Sequence, residues 1–186
     1  MRAAVLYATR EGQAERVANH VATDLRRRRI EAQVINVRDV KGTIDWRAYD
    51  QAYVVASVHT GHHEKEMIAF VRRFKDELTE RHAPFLSLTL SQAGAELLTN
   101  TLVQRQTAHG DALQMISDFM KETGWHPARI LPVAGALNYS RYNFLMKWIM
   151  KRIAHKAGFD GPATRDYEFT NWPAVDRFVN ELATAA

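Results

Sequence analysis

The 186-residue chain contains no cysteine. That absence removes disulfides, thiolate nucleophiles and cysteine-held zinc or iron–sulfur centres. It also fits a reducing compartment. Long apolar runs are missing too. The first, residues 3–8, ends before charge returns at Arg10, so it does not read as a signal peptide. No stretch approaches the roughly 20 apolar residues that a membrane-spanning helix needs. Glycine-rich phosphate motifs are absent, since neither GxxxxGK[ST] nor GxGxxG occurs. The last absence is local. No acidic residue falls between Glu122 and Asp160, yet Arg129, Arg141, Lys147, Lys151, Arg152 and Lys156 all do. The net charge of +4 is therefore concentrated in one late segment, which suggests an anionic partner.

What is present is an alternation of strand-like and helix-like stretches. Residues 3–8 (AAVLYA) read as a buried strand. Val17, Val21 and Leu25 give 13–29 a helical period. Residues 30–37 read as an edge-like strand, and 53–57 (YVVAS) as a buried one. Met67, Phe70, Val71, Phe74 and Leu78 place a helix at 64–81. Residues 85–90 form a fourth strand, 111–123 a helix and 130–136 a fifth strand, despite Pro132. A final helix over 172–182 follows Asn171, a fair N-cap, with Pro173 in its first turn. This pattern predicts one α/β domain over residues 1–186. Its five-stranded parallel sheet has order 2-1-3-4-5 and helices on both faces. Residues of about 138–165 do not fit that plan and read as an insertion before the last helix. In such sheets ligands sit beyond the carboxyl ends of the strands, where the order reverses.

Three turns are therefore decisive. After the first strand comes TREGQA, residues 9–14. Thr9 offers a hydroxyl, Gly12 allows close backbone approach, and the helix start offers free amides and partial positive charge, which suit a phosphate. A plain strand-to-helix turn capped by Thr9 explains the same stretch. After the third strand comes SVHTGHH, residues 57–63. His59, His62 and His63 sit near Glu64 and Glu66, but the loop lacks cysteine and a partner motif elsewhere, so no metal site is expected.

Four stretches carry a family resemblance: TREGQAERVA, ASVHTGHH, GWHPARILPVAGALNYSRYNFLMKWIMKRIA, and the TNW that opens the last helix. The third is the most specific, because its AGAL-x-Y-x-RY sequence and following basic amphipathic segment are foreign to ordinary flavodoxins. On these motifs the chain resembles the flavodoxin-type, menaquinone-dependent protoporphyrinogen IX dehydrogenase family. The resemblance implies a flavodoxin-like fold and non-covalent FMN. It implies oxidation of a porphyrinogen substrate, protoporphyrinogen IX, to protoporphyrin IX in haem synthesis, with a membrane quinone as acceptor. Carried over by position, Thr9, Arg10, Glu11, Gly12, Gln13 and Ala14 form the phosphate loop. Ser57, Val58, His59, Thr60, Gly61 and His62 border the flavin ring, and Leu90 and Ser91 begin a third loop. Three departures stand out. Ala14 replaces a hydroxyl residue, His59 replaces an arginine, and residues 91–110 are more apolar and less basic than the family pattern.

The flavin would carry the redox chemistry. His59 and His62 are the candidate proton-exchanging residues. In RYNFLMKWIMKRIAHK, residues 141–156, a helical wheel groups Leu145, Ile149, Ile153, Met146, Tyr142 and Met150 on one broad face. Lys147, Lys151, Arg152 and His155 lie opposite, with Phe144 and Trp148 among them. This is the composition of a helix lying on an anionic membrane surface, although a helix packed on its own domain looks similar. Arg141, Lys147, Trp148, Lys151 and Arg152 are thus expected to contact membrane or substrate. The expected location is cytoplasmic, at the inner face of the cell membrane. No nucleic-acid motif is recognisable, and a homo-oligomer is left open. The rival functions are a flavodoxin-type electron carrier, an NAD(P)H:quinone reductase and a scaffold that has lost its flavin. Carriers of this type are generally acidic, unlike this chain.

Overall fold

The structure, a computed structural model, describes residues 1–141, 143–156 and 158–184, without the side chains of Arg141, Leu145, Met146, Ile149, Lys156 and Thr184. In chain order the elements are β1 (Arg2–Ala8), α1 (Gln13–Arg27), β2 (Glu31–Asn36), β3 (Gln51–His59), β4 (His62–His63), α2 (Lys65–Glu80) and β5 (Phe85–Thr89). There follow α3 (Leu90–Glu96), α4 (Leu102–Thr123), β6 (Ile130–Ala134), β7 (Ala136–Leu137), α5 (Phe144–Lys156), β8 (Tyr167–Glu168) and α6 (Trp172–Thr184). The main sheet runs β2-β1-β3-β5-β6, all parallel, with the short β4 paired antiparallel to β3. The expected order 2-1-3-4-5 and flavodoxin-like layering are therefore present.

The central strands β1, β3 and β5 are largely apolar because both sheet faces are covered, whereas the edge strand β2 is more polar. Along β1, Ala3, Val5 and Tyr7 face a core shared with Val17 and Val21 of α1 and Val175 and Val179 of α6. Ala4, Leu6 and Ala8 face the opposite core, with Met67 and Val71 of α2 and Ile116 and Phe119 of α4. Each fully buried Leu or Val contributes on the order of 1.5–3 kcal/mol over an exposed one. A one-residue slip of β1 would exchange its two faces. Its register, with Val5 opposite both Val34 and Tyr53, is fixed by that packing.

Several elements differ from the sequence expectation. β3 runs past Ser57 to His59 and turns back through β4. The strand expected to reach Leu90 stops at Thr89, where the Thr89 hydroxyl accepts from the Gln92 amide at 2.8 Å and α3 starts at once. α4 begins at Leu102, not near residue 111, because Thr101 and Gln104 form a reciprocal capping box. Pro132 is tolerated because β6 is an edge strand. Asn171 does cap α6, accepting from the Ala174 amide at 3.1 Å.

β7 and β8 pair antiparallel, Ala136 opposite Glu168 and Leu137 opposite Tyr167, so the inserted segment leaves and re-enters the fold at one place. Its own small core holds Leu137, Tyr139, Met150 and Ala154, with Leu90, Phe159 and Tyr167 at the margin. This corrects the helical-wheel reading of α5. Met150 and Ile153, grouped there with a lipid-facing side, pack against the protein because the β7–β8 pair folds the segment back onto the sheet end. Of the others assigned to the same side, Tyr142 lies outside the described residues, and so do the side chains of Leu145, Met146 and Ile149. No helix among the described residues is long and apolar enough to cross a membrane.

Candidate functional site

One cleft of about 700 Å³, its open mouth included, lies at the carboxyl ends of β1, β3 and β5. That is where the strand order reverses. Of the sequence-predicted residues, Thr9, Arg10, Glu11, Gln13, Ser57, Val58, His59, Thr60, Gly61, Leu90 and Ser91 line it. Gly12, Ala14 and His62 are not among the lining residues.

The first wall is the turn between β1 and α1. The Gly12 amide donates to Thr9 Oγ1 at 2.9 Å, which closes the turn. Gly12 itself is the N-cap of α1 at φ 92°, a left-handed conformation in which glycine carries no steric cost. Among the described residues no side chain caps α1. Its first amides therefore remain available to an anion, and they add the positive end of a helix dipole. The Gln13 side chain turns away from that role. Its amide nitrogen donates to Glu168 at 2.7 Å and to Thr170 at 2.8 Å, which ties the turn to the end of the insertion. Asn138 reinforces the link by donating to the Glu11 carbonyl at 3.0 Å. Ala14 is fully buried in the core, so the missing hydroxyl is replaced by packing.

The second wall is the β3–β4 hairpin. Its two turn residues, Thr60 and Gly61, both have positive φ, 50° and 87°. That is the conformation of a type I′ turn, whose twist matches paired strands. A Cβ on Gly61 would meet no atom of the described residues within 4 Å, so the backbone angle, and not crowding, calls for glycine. The three histidines diverge. His59 faces the cleft, with Nδ1 3.6 Å from Glu11 Oε1. His62 is exposed on the hairpin's outer side. His63 is buried, 2.8 Å from the Ser87 hydroxyl and packed on Phe85 and Phe119. Burial pushes the His63 pKa down to about 3, with the neighbouring His62 a smaller influence in the same direction. His63 is thus a neutral anchor for the hairpin.

Glu64 stands out in the sequence only as a neighbour of the histidine cluster. It is almost wholly buried, and its Oε2 accepts from Arg10 at 2.9 Å and Arg38 at 3.1 Å. The Arg10 pKa is held above its ordinary value chiefly by that hydrogen bond. Arg38 lies just after β2 and also pairs with Glu66 at 3.3 Å. One carboxylate therefore fastens the turns that follow β1, β2 and β3. Adjacent parallel strands end side by side, which is the sequence-level hint that Arg38 could reach this point. Glu64 Oε1 has no hydrogen-bond partner in the described structure.

The third wall is the start of α3 with Gly135 and Ala136, and Met150 and Ile153 of α5 form a roof. Sequence reasoning missed Met115, Gly135 and Ala136. It knew Met150 and Ile153 only as members of an amphipathic face. Arg141 has no described side chain. Lys147 is half-buried, whereas Trp148, Lys151 and Arg152 are exposed on the outer side of α5, away from the inner cleft.

Residues 4–161 match the flavodoxin domain family. A relative in Escherichia coli K12, named protoporphyrinogen IX dehydrogenase [quinone], is 27% identical over 186 residues, covering 98% of this chain and 95% of the relative. A Leishmania major protein of the same name is 25% identical over 180 residues, covering 96% and 73%. The solved flavodoxin of Streptococcus pneumoniae TIGR4 superposes with a TM-score of 0.52 at 14% identity, each chain fully covered, which is a likeness of fold. The oxidoreductase class read from the sequence agrees with the names of the full-length relatives. A family match over most of the chain, together with this strand order and a cleft at the sheet's switch point, makes the protein a member of the flavodoxin domain family.

Proposed function

We propose that the protein binds FMN in this cleft, oxidises protoporphyrinogen IX to protoporphyrin IX and passes the electrons to a membrane quinone. The observation that carries the reading is the roof. The inserted segment, whose sequence carries the family resemblance, places Met150 and Ile153 over the same cleft that Thr9, Ser57 and Leu90 line. The similarity to the E. coli dehydrogenase spans 98% of this chain, a stretch long enough to take in that segment.

The residues suit FMN. The uncapped start of α1 and the ordered Thr9–Gly12 turn offer amide donors for a phosphate. Ser57, Val58, His59, Thr60 and Gly61 would border one edge of a flat ring, and Leu90 and Ser91 another. When bound, the flavin supplies the redox chemistry. The protein positions it and excludes water with the apolar roof. His59, beside Glu11, can hold a proton at the cleft wall. Lys147, Lys151 and Arg152 on α5 suit the propionates of an incoming porphyrinogen or an anionic lipid surface. The protein works at the inner face of the cell membrane.

The test has two stages. The purified protein is examined for visible absorbance, and any released flavin is identified. It is then supplied with protoporphyrinogen and a quinone, and protoporphyrin fluorescence is followed. Bound FMN and quinone-dependent fluorescence are expected. A colourless protein that also fails to take up added FMN would overturn the reading. Reduction by NADH or NADPH without porphyrinogen turnover would point to the quinone reductase instead.

A further inference from the structure

Residues 91–110 depart from the family pattern by being apolar, and the structure shows where that apolar character goes. α3 ends at Glu96 and α4 starts at Leu102. The corner between them is pinned by Asn100, whose buried side chain donates to the Gly94 carbonyl at 2.8 Å. The pin holds three apolar side chains in water. Leu98 is 89% exposed, Leu102 62% and Val103 71%. On α5, Phe144 is 89% exposed and Trp148 59%. These five are most of the large apolar side chains that the described structure exposes.

The two groups adjoin. Gly158, just beyond α5, lies so close to the pin that a Cβ there would come within 2.1 Å of Asn100 Oδ1. Val103 of α4 and Ile153 of α5 line the same outer extension of the cleft, with Thr60 and Gly61. Charge is equally one-sided. No acidic residue occurs from Leu97 to Gly110 or between Glu122 and Asp160, and the acids that border this face are Glu96 at the end of α3 and Asp111, which lines the outer extension of the cleft. Lys147, Lys151 and Arg152 flank the exposed aromatics of α5, and the Arg152 guanidinium lies 6.0 Å from the Trp148 ring centre.

Exposed apolar side chains next to an excess of cations complement an anionic lipid surface. A second copy of the chain fits this face poorly. A two-fold pairing would bring its cations against their own counterparts. We propose that the α3–α4 corner is a second bilayer anchor. Leu98, Leu102 and Val103 enter the lipid interface beside Phe144 and Trp148, and the outer mouth of the cleft opens between the two anchors onto lipid. The inference deepens the proposed function and rests on it only for the purpose of the contact, delivery of a lipid-borne acceptor.

The test uses the full chain and vesicles of phosphatidylcholine with and without phosphatidylglycerol. Binding is read by co-sedimentation and by quenching of tryptophan fluorescence with brominated lipid. Trp148 is an exposed reporter, whereas Trp46 and Trp125 are buried. The triple variant Leu98→Ser, Leu102→Ser, Val103→Ser changes only exposed side chains, and circular dichroism and thermal melting check that it is folded. Wild type is expected to bind the anionic vesicles, and the triple variant to bind at least about tenfold more weakly, from lost apolar contact. Equal binding by the two proteins would overturn the second anchor. So would wild type that ignores vesicles but dimerises at this face, with a monomeric triple variant. No step needs turnover, so a failure here is separate from a failure of the flavin and porphyrin assays.

Discussion

At the scale of single residues, burial decides which charged groups matter. Glu64 is the most buried charged side chain among the described residues, and its stability depends on Arg10 and Arg38. Both arginines are partly exposed and can rehydrate, so Glu64→Ala should cost about 1–2 kcal/mol, less than the 3–5 kcal/mol of a fully buried broken pair. The larger consequence is local. Arg10 is released, and the turn proposed to offer amides to the FMN phosphate loosens. FMN affinity, read by quenching of flavin fluorescence, should fall several-fold, with Glu64→Gln in between. A lowered urea midpoint with unchanged FMN affinity would make Glu64 purely structural. His63 gives a second prediction. Its folded pKa, about 3, is below the ordinary 6.5, so only the unfolded chain takes up this proton as pH falls. The stability linked to neutral His63 is complete above about 6.5 and lost on acidification toward 3, at roughly 1.4 kcal/mol per pH unit. Between pH 7 and 5 wild type should lose about 2 kcal/mol more than His63→Leu in urea titrations. Parallel pH slopes for the two proteins would refute the assignment.

Secondary-structure elements show what a sequence can and cannot reveal. Gly61→Ala puts a side chain at φ 87° in the β3–β4 turn and should cost about 1–2 kcal/mol. Thr60→Asn, at φ 50°, should stabilise by a few tenths of a kcal/mol, because asparagine tolerates left-handed backbone better than a branched residue. Thermal melts of the two variants should move in opposite directions. Thr101→Ala removes the capping box of α4 and should cost about 1 kcal/mol, with faster amide exchange confined to the first turns. The doubly covered strands were legible because continuous apolar runs such as AAVLYA have few other uses. Helices with a full apolar stripe, such as α2, were legible for the same kind of reason. α4 was half legible. Only Ala108 is buried before Ala112, so its first turns lack an apolar stripe, although the T-x-x-Q box was there to be read. The hairpin was hidden because Thr-Gly is an unusual pair for a type I′ turn. Within the site, the strand-end residues of the cleft could be located from topology. Glu64, Arg38 and the α5 roof could not, because they meet through long-range packing that leaves no local pattern. The divergence of His59, His62 and His63 is likewise a matter of burial, which three neighbouring letters do not encode.

For the whole molecule, the distribution of charge says more than its sum. The net charge of +4 is modest, but α5 carries basic groups without acids, and the α3–α4 corner beside it exposes apolar ones. The same end of the sheet holds the cleft, roofed by Met150 and Ile153. On the proposed reading the insertion has two faces with separate uses, an inner one that closes the cleft and an outer one that would meet an anionic surface. Salt distinguishes them. The Debye length is about 10 Å at 0.1 M and about 3 Å at 1 M, so exposed cations lose most of their reach over that range. The apolar roof and the buried Glu64 contacts are screened far less. Turnover with a long-tailed quinone in phosphatidylglycerol-containing vesicles should therefore fall steeply with added salt. Turnover with a short, water-soluble quinone should change little. Lys147→Gln/Lys151→Gln should reproduce the effect of salt on the first assay and leave the second unchanged. If both quinones responded alike, the cations would act on porphyrinogen capture and not on the membrane, and the outer face would lose its assigned role.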